Sequence, residues 1–429
     1  MIAALASLAA LLLSVAILVA GNGLQGTLIA VRANLEGFPA ATIGALMSAY
    51  YVGFVSGSII VPGFVRRVGH IRTFAALAAV AAASAVALAL FVHPVVWWVL
   101  RVVTGFCFAG LYTVIESWVN ERASNENRGR VFSVYKIIDL GANTLGQLLL
   151  TTADPRGFVL FSVVSILICL ALVPVALTTA KIPRRLRVSR LGLRQLYRAS
   201  PLGVFGCFAL GLGNSATWGL APVFVQEIGQ PVTVVAYFMS LMVVGGAASQ
   251  WPIGFLSDRY DRRLVTITAS LLAAASGVAL TFATTGPLPI LLLCAVLFGG
   301  LSMPVYSLCV AYTNDYLDPR QFVAASSALL LLYGVGAIIG PFIASLVMQE
   351  LGGWSLFLYT ATVYLLLAVF GLFRTTRRTA VPPDEQAGFV AVPRPASAVV
   401  YHLDPRSADA QMVFDFDMAT TDSESSEGA

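Results

Sequence analysis

Gly254–Arg263 reads G-F-L-S-D-R-Y-D-R-R. Five of its ten residues are charged, and an apolar run of membrane-helix length lies on each side. So polar a stretch between two such runs makes a tight hairpin joining two membrane helices. A positively charged loop also holds membrane helices in orientation. The charge alone therefore leaves two readings, a stretch with a specific role or an ordinary basic loop.

Composition decides the class. The chain has 429 residues, 58% hydrophobic and 11% charged, whereas soluble domains are about 25% charged. A soluble protein of this composition could not cover its surface. Runs long enough to span, about 20 residues each, occur near 5–30, 42–62, 73–92, 95–119, 131–152, 157–180, 202–226, 232–256, 264–285, 288–312, 321–349 and 354–373. They are continuous and rich in Leu, Ala, Val and Gly, unlike the short alternating segments of a barrel. The expected class is all-α integral membrane with twelve transmembrane helices. The first run lacks a positive n-region and is too long for a cleaved signal peptide.

Lys and Arg cluster in alternate loops. Segments 66–72, 122–136, 181–198 and 259–263 hold most of the 26, while the loops between hold Arg32 and Arg156. This asymmetry places both termini in the cytoplasm. The net charge of +5 then follows from topology and gives no reason to expect nucleic acid. The five cysteines all fall inside apolar runs without paired spacing, which excludes a disulfide framework and predicts no metal site. No cofactor is expected, since no G-x-x-x-x-G-K-S/T is present.

In order along the chain, G-N-G-L-Q-G at 21–26 matches a dinucleotide fingerprint but sits within a membrane helix, not a βαβ unit. Asn22 and Gln25 are three apart and share a face. Such amides need partners inside the protein or a wet cavity. The second run carries Tyr50 and Tyr51 and ends in P-G-F-V-R-R-V-G-H-I-R at 62–72. In the fourth, Arg101, Gly105, Phe108, Tyr112 and Glu116 recur on one face. An arginine so placed is either functional or snorkels to the interface. In the fifth, Lys136, Asp139, Asn143 and Gln147 form a polar stripe. Lys136 and Asp139 either neutralise each other or Asp139 acts alone, deeper in the membrane. Residues 181–198 carry seven cations and no acid. They suit an anionic lipid surface; a protein partner is the alternative. Beyond 375 the tail is polar and ends acidic, a composition that predicts disorder.

The second half repeats the first. Gly21, Gly23 and Thr27 match Gly211, Gly213 and Thr217 at an offset of 190. Gly63, Phe64 and Arg72 match Gly254, Phe255 and Arg263 at 191. Tyr112, Asn120 and Gly146 match Tyr306, Asn314 and Gly340 at 194. Near-constant offsets predict two parallel six-helix halves: 1–180 and 201–374, with 181–200 as a basic linker and 375–429 as a cytoplasmic tail. Cavity candidates are Asn22, Gln25, Tyr50, Tyr112, Asn143, Gln147, Asn214, Trp218 and Tyr306, with the first, fourth, seventh and tenth helices lining the space.

Gly254–Arg263 resembles the major facilitator superfamily signature G-x-x-x-D-R-x-G-R-R/K, with Asp261 in place of a Gly. R-V-V-T-G at 101–105 resembles that family's R-x-x-x-G. E-S-W-V-N at 116–120, R-R-V-G-H-I-R at 66–72, G-Q-L-L-L at 146–150 and Y-G-V-G-A-I-I-G-P at 333–341 resemble its YcaD-type branch, which implies no particular substrate. The resemblance implies alternating access in a plasma-membrane transporter driven by a proton or solute gradient. It also implies a gate made of Gly63, Arg67 and Arg72 in one hairpin and Gly254, Asp258, Arg259, Arg262 and Arg263 in the other. Arg67 stands where Asp258 stands in the second copy, so the first hairpin lacks its acid. By the resemblance Gly254 packs against the fifth helix and Asp258 faces that helix's amino end, near Gly129–Phe132. Asp139 lies about 14 Å from Arg130 along a helix, close to the midplane. It is the expected proton-coupling carboxylate, with Glu116 as second choice and Arg101 as counter-charge.

The expected partners are a small organic solute, neutral or amphipathic, together with protons and membrane lipids, with the chain a monomer. A sensor or scaffold of the same fold is the alternative. With three histidines and no convergent nucleophile and base, an enzyme is not expected.

Overall fold

The computed structural model describes residues 2–122, 128–177, 191–318, 321–377, 382, 386 and 388–390. Most of the basic segment 181–198 and most of the tail lie outside the described residues. The helices are α1 (Ile2–Leu35), α2 (Ala40–Val68), α3 (His70–Leu90), α4 (Pro94–Arg122), α5 (Arg128–Leu149), α6 (Val159–Ala176), α7 (Leu193–Ala199), α8 (Pro201–Glu227), α9 (Val232–Arg259), α10 (Arg262–Ala283), α11 (Leu288–Asn314), α12 (Phe322–Leu351) and α13 (Ser355–Thr375). A single 3-10 turn, Leu150–Thr152, follows α5. Apart from the seven-residue α7, these are the twelve expected helices.

Eleven of them are long and apolar enough to cross a membrane. The exception is α5, whose 22 residues carry Arg128, Arg130, Lys136, Asp139, Asn143 and Gln147. A helix that polar is stable in a membrane only when neighbours cover its polar face, and α1 and α9 do so.

Local chemistry sets the joints. Ser200 caps α8 by accepting the Gly203 N–H at 3.2 Å, with Pro201 in the first turn, a pairing that satisfies one of the helix's unpaired donors. Asp261 caps α10 by accepting the Arg263 N–H at 2.9 Å.

The helices pack as two pseudo-symmetric sets of six. In the first, α2 lies on α4, α1 on α5 and α6, and α3 on α4 and α6. In the second, α9 lies on α11, α8 on α12 and α13, and α10 on α11 and α13. Glycines carry this repeat. A Cβ at Gly53 or Gly105 would meet backbone of the α2–α4 partner, and one at Gly245 or Gly299 would meet backbone of the α9–α11 partner. Gly146 meets Ala20 O on α1 as Gly340 meets Leu212 O on α8. Small residues permit such approach, and in lipid close packing is a main source of helix association.

The sets meet through α2 on α12, α5 on α9, and α1 on α8. Asn34 Nδ2 donates to Gln226 Oε1 at 3.1 Å, Gly219 lies on Met47, and Gly44 lies against Ser345 and Pro341. These contacts fall in the half of the bundle opposite the 254–263 hairpin.

Candidate functional site

Between the two sets lies a cavity of about 160 Å³. About 10–15 Å³ admits one water, so the space is large enough for a small solute. Its walls come from α1, α2, α4 and α5 on one side and α8, α9, α11 and α12 on the other. The helices expected to line it do so, joined by four more.

Asn22 ties the first wall together. Its Nδ2 donates to Tyr112 Oη at 3.2 Å, and Tyr50 Oη donates to its Oδ1 at 3.4 Å. Thr27 Oγ1 donates to Gln147 Oε1 at 2.5 Å, while Gln147 Nε2 reaches Gly23 O at 3.3 Å and Asn143 Oδ1 at 3.4 Å. These bonds give the polar groups of the wall partners within the protein. Across the cavity stand Trp218, Met303, Tyr306 and Tyr333, with the rings of Tyr306 and Tyr333 5.3 Å apart. Arg101 enters from α4, its guanidinium 4.5 Å from the centre of the Tyr50 ring. Lys136 and Asp139 enter from α5.

Of the residues singled out in the sequence, Asn22, Tyr50, Arg101, Tyr112, Asp139, Asn143, Gln147, Trp218 and Tyr306 line this space. Three do not. Gln25 is fully buried away from the cavity, and neither polar atom of its amide has a hydrogen-bond partner among the described residues. At about 100° per residue, Val19, Asn22, Gly23, Gly26 and Thr27 share one arc of α1, and Gln25 falls outside it. Asn214 turns toward α13, where Tyr364 Oη donates to its Oδ1 at 2.7 Å. Glu116 is buried behind the wall and accepts from Tyr135 Oη at 2.7 Å. Gln250, Met47 and Tyr333 line the cavity without having been singled out. Tyr333 opens the glycine-rich stretch of α12, where the glycines drew the reading.

The 254–263 hairpin forms a second centre. Arg262 is 1% exposed. It donates to both oxygens of Asp315, at 2.6 and 2.8 Å, to Asp258 Oδ1 at 3.0 Å, and to Ser257 Oγ at 2.9 Å. Arg263 pairs with Asp261 at 2.8 Å, and Arg259 lies 4.0 Å from the centre of the Phe255 ring. Asp315 went unnoticed in the sequence, yet it matches Glu121 at the same offset of 194 that joins Asn120 to Asn314.

Asp258 also accepts the Phe389 backbone N–H at 2.7 Å, and the Phe389 ring fills the space a Cβ at Gly254 would need. Among the described residues, Phe389 makes the contacts expected of the amino end of α5. Gly63, the first-half counterpart of Gly254, meets nothing within 4 Å of a built Cβ, and Arg67 and Arg72 are exposed.

A family model described as Major Facilitator Superfamily matches residues 4–202 and again 203–407. An uncharacterized MFS-type transporter YcaD of Escherichia fergusonii is 28% identical over 363 residues, 83% of this chain and 92% of that protein. Among solved structures, the nucleoside transporter NupG superposes with a TM-score of 0.73 at 16% identity, covering 86% of this chain and 98% of that one. A D-xylose-proton symporter does so with 0.68 at 14% identity, covering 86% and 96%. With eleven candidate spans among its described residues, this is a multi-pass membrane protein, and the two successive matches of the family model show that the chain belongs to the Major Facilitator Superfamily.

Proposed function

We propose that this chain is a secondary active transporter of a small organic solute, working by alternating access and driven by protons. Membership in a family of transporters makes it a transporter rather than an enzyme. The finer reading is carried by one observation: the cavity draws its lining from both six-helix sets. A site so divided is exposed to one face or the other as the sets rock. The moving bodies are residues 1–180 and 201–374, joined by the basic segment 181–200. In this reading the protein works as a monomer in the plasma membrane with both termini cytoplasmic, an orientation that the loop charges support.

Asp139 is the proposed coupling group. It lies eleven residues into α5, about 16 Å along the axis, near the middle of a roughly 30 Å hydrocarbon core, and it lines the cavity. A carboxylate there can take a proton from one side and release it to the other. One fold neighbour is a proton symporter, which supports protons as the drive. Arg101 lines the same cavity. In proteoliposomes, Asp139→Asn removes gradient-driven accumulation and leaves solute exchange intact. Accumulation at the wild-type level in that variant would overturn the coupling role.

A further inference from the structure

Arg101 is poorly satisfied for a buried cation. It is 4% exposed. Its hydrogen bonds are Nε to Leu46 O at 3.4 Å and Nη2 to Met47 Sδ at 4.0 Å, both long, from a group with five N–H donors. The Tyr50 ring beneath it is neutral. Among the described residues the ion pairs join other cations, and Arg101 takes part in none. Two cations, Arg101 and Lys136, line the cavity against one carboxylate, Asp139. Glu116, the acid nearest to Arg101 in sequence, sits behind the wall on Tyr135. A buried charge calls for a partner of opposite sign; the remaining polar lining is neutral amide and hydroxyl, and Tyr51, Trp218, Met303, Tyr306 and Tyr333 supply aromatic and thioether surface.

We propose that the solute is an amphipathic organic monoanion. Its carboxylate or sulfonate oxygens bond to the Arg101 guanidinium, whose forked N–H groups suit acceptors that present two oxygens side by side. Its apolar body lies among Tyr51, Trp218, Met303, Tyr306 and Tyr333. This rests on the transport reading for where solute sits, and it replaces the neutral solute that the sequence left open.

The test uses matched pairs on purified protein: naphthalene-2-sulfonate against naphthalene-2-sulfonamide, and 3-phenylpropanoate against its amide. Thermal unfolding should show the anion of each pair binding about tenfold or more tightly than its neutral twin, as expected when charge-assisted bonds are lost. Arg101→Gln should erase the difference, and Arg101→Lys should restore part of it. Equal binding within each pair, no binding by any member, or an unchanged preference in Arg101→Gln overturns the proposal. The comparison within pairs on unmutated protein stands even if that variant fails to fold. Exchange of the radiolabelled compounds in proteoliposomes separates the two readings. Anions that bind without exchanging would sink transport and leave the site; exchange of the amides alone would keep transport and sink the anion.

A different observation carries a second inference. Phe389 presents a backbone N–H to Asp258 and a ring to Gly254, and Val390 packs on the core beside it. A helix amino end offers a carboxylate the same kind of donor. We infer that the docked residues 388–390 block the approach of α5 to Gly254 and Asp258, and so oppose closure of the two sets at the hairpin end. This too assumes alternating access. In a cysteine-free background, spin labels at Ser133 on α5 and Leu264 on α10, both exposed, report the separation of the two sets. Phe389→Ala and Phe389→Asp should raise the share of short distances. Distributions identical to wild type in both variants overturn the inference. Shorter distances in both, without any solute uptake, would keep the docking role and count against transport.

Discussion

The two hairpins occupy equivalent places in the two halves and have opposite chemistry. In the second, Arg262 is buried and bonded to Asp315, Asp258 and Ser257. In the first, Arg67 stands at the Asp258 position and Ile71 at that of Arg262, and both are exposed. Gly254 is covered by Phe389 while a Cβ at Gly63 would meet open space. At the first hairpin the acid position carries a cation, and the position matching the buried arginine is apolar. The comparison teaches that a shared helix plan does not make two equal hairpins: among the described residues, the charge network and the tail contact both sit on the second.

The largest expected effect comes from Arg262→Met. Asp315, whose side chain is 2% exposed, would keep its charge with its bidentate partner gone. Breaking a buried pair on one side costs about 3–5 kcal/mol. Thermal unfolding in detergent should show a large fall in Tm, and a fall no greater than that of Arg72→Met would mean that the buried network contributes nothing. Arg262→Met with Asp315→Leu should recover most of the loss, since apolar replacement of both partners is often close to neutral. If the double variant is as unstable as the single, packing at Asp315 and not charge explains the first result.

Asp258→Asn should do less. The side chain of Asp258 is 43% exposed, so water screens its pair with Arg262, and exposed pairs are worth about 0–1 kcal/mol. The amide oxygen of Asn can still accept the Phe389 N–H. A small drop in Tm is expected, together with looser tail docking, which limited proteolysis of the tail would detect. A Tm drop as large as that of Arg262→Met would show that Asp258, rather than Asp315, is the main partner.

How much of this was legible in the sequence depends on what each residue answers to. Asn22, Asn143 and Gln147 announced themselves because amides in hydrocarbon must find partners: Gln147 found Asn143, and Asn22 found Tyr50 and Tyr112. The repeat was legible because glycines at close helix crossings tolerate no Cβ, which keeps Gly146 and Gly340 in register. Gln25 misled because a spacing of three places residues on one broad face without saying which edge meets the cavity. Asn214 misled because its partner, Tyr364, lies 150 residues away. Asp315 was within reach through the offset of 194, one residue past the Asn120–Asn314 match. The Phe389 contact had no local signal: Q-A-G-F-V at 386–390 lies in a polar tail, and what fixes it is an open glycine and a carboxylate more than 130 positions earlier.

The smallest effect sharpens the comparison most. Arg67→Asp restores the missing acid to the first hairpin. If the acid alone made the network, stability should rise. The structure argues otherwise, because Ile71 stands where Arg262 would be and Arg72 is exposed. An exposed carboxylate without a buried cation gains little, and surface changes of this kind fall within about 0.5 kcal/mol. Arg67→Asp should therefore leave Tm nearly unchanged. Adding Ile71→Arg supplies the cation, and Glu121, at the Asp315 position by the offset of 194, supplies the second acid. The double variant should then be more stable than Ile71→Arg alone, the gain being the interaction between the two new charges. A double variant no more stable than the sum of its parts would mean that the first hairpin has lost the geometry of the network as well as its charges.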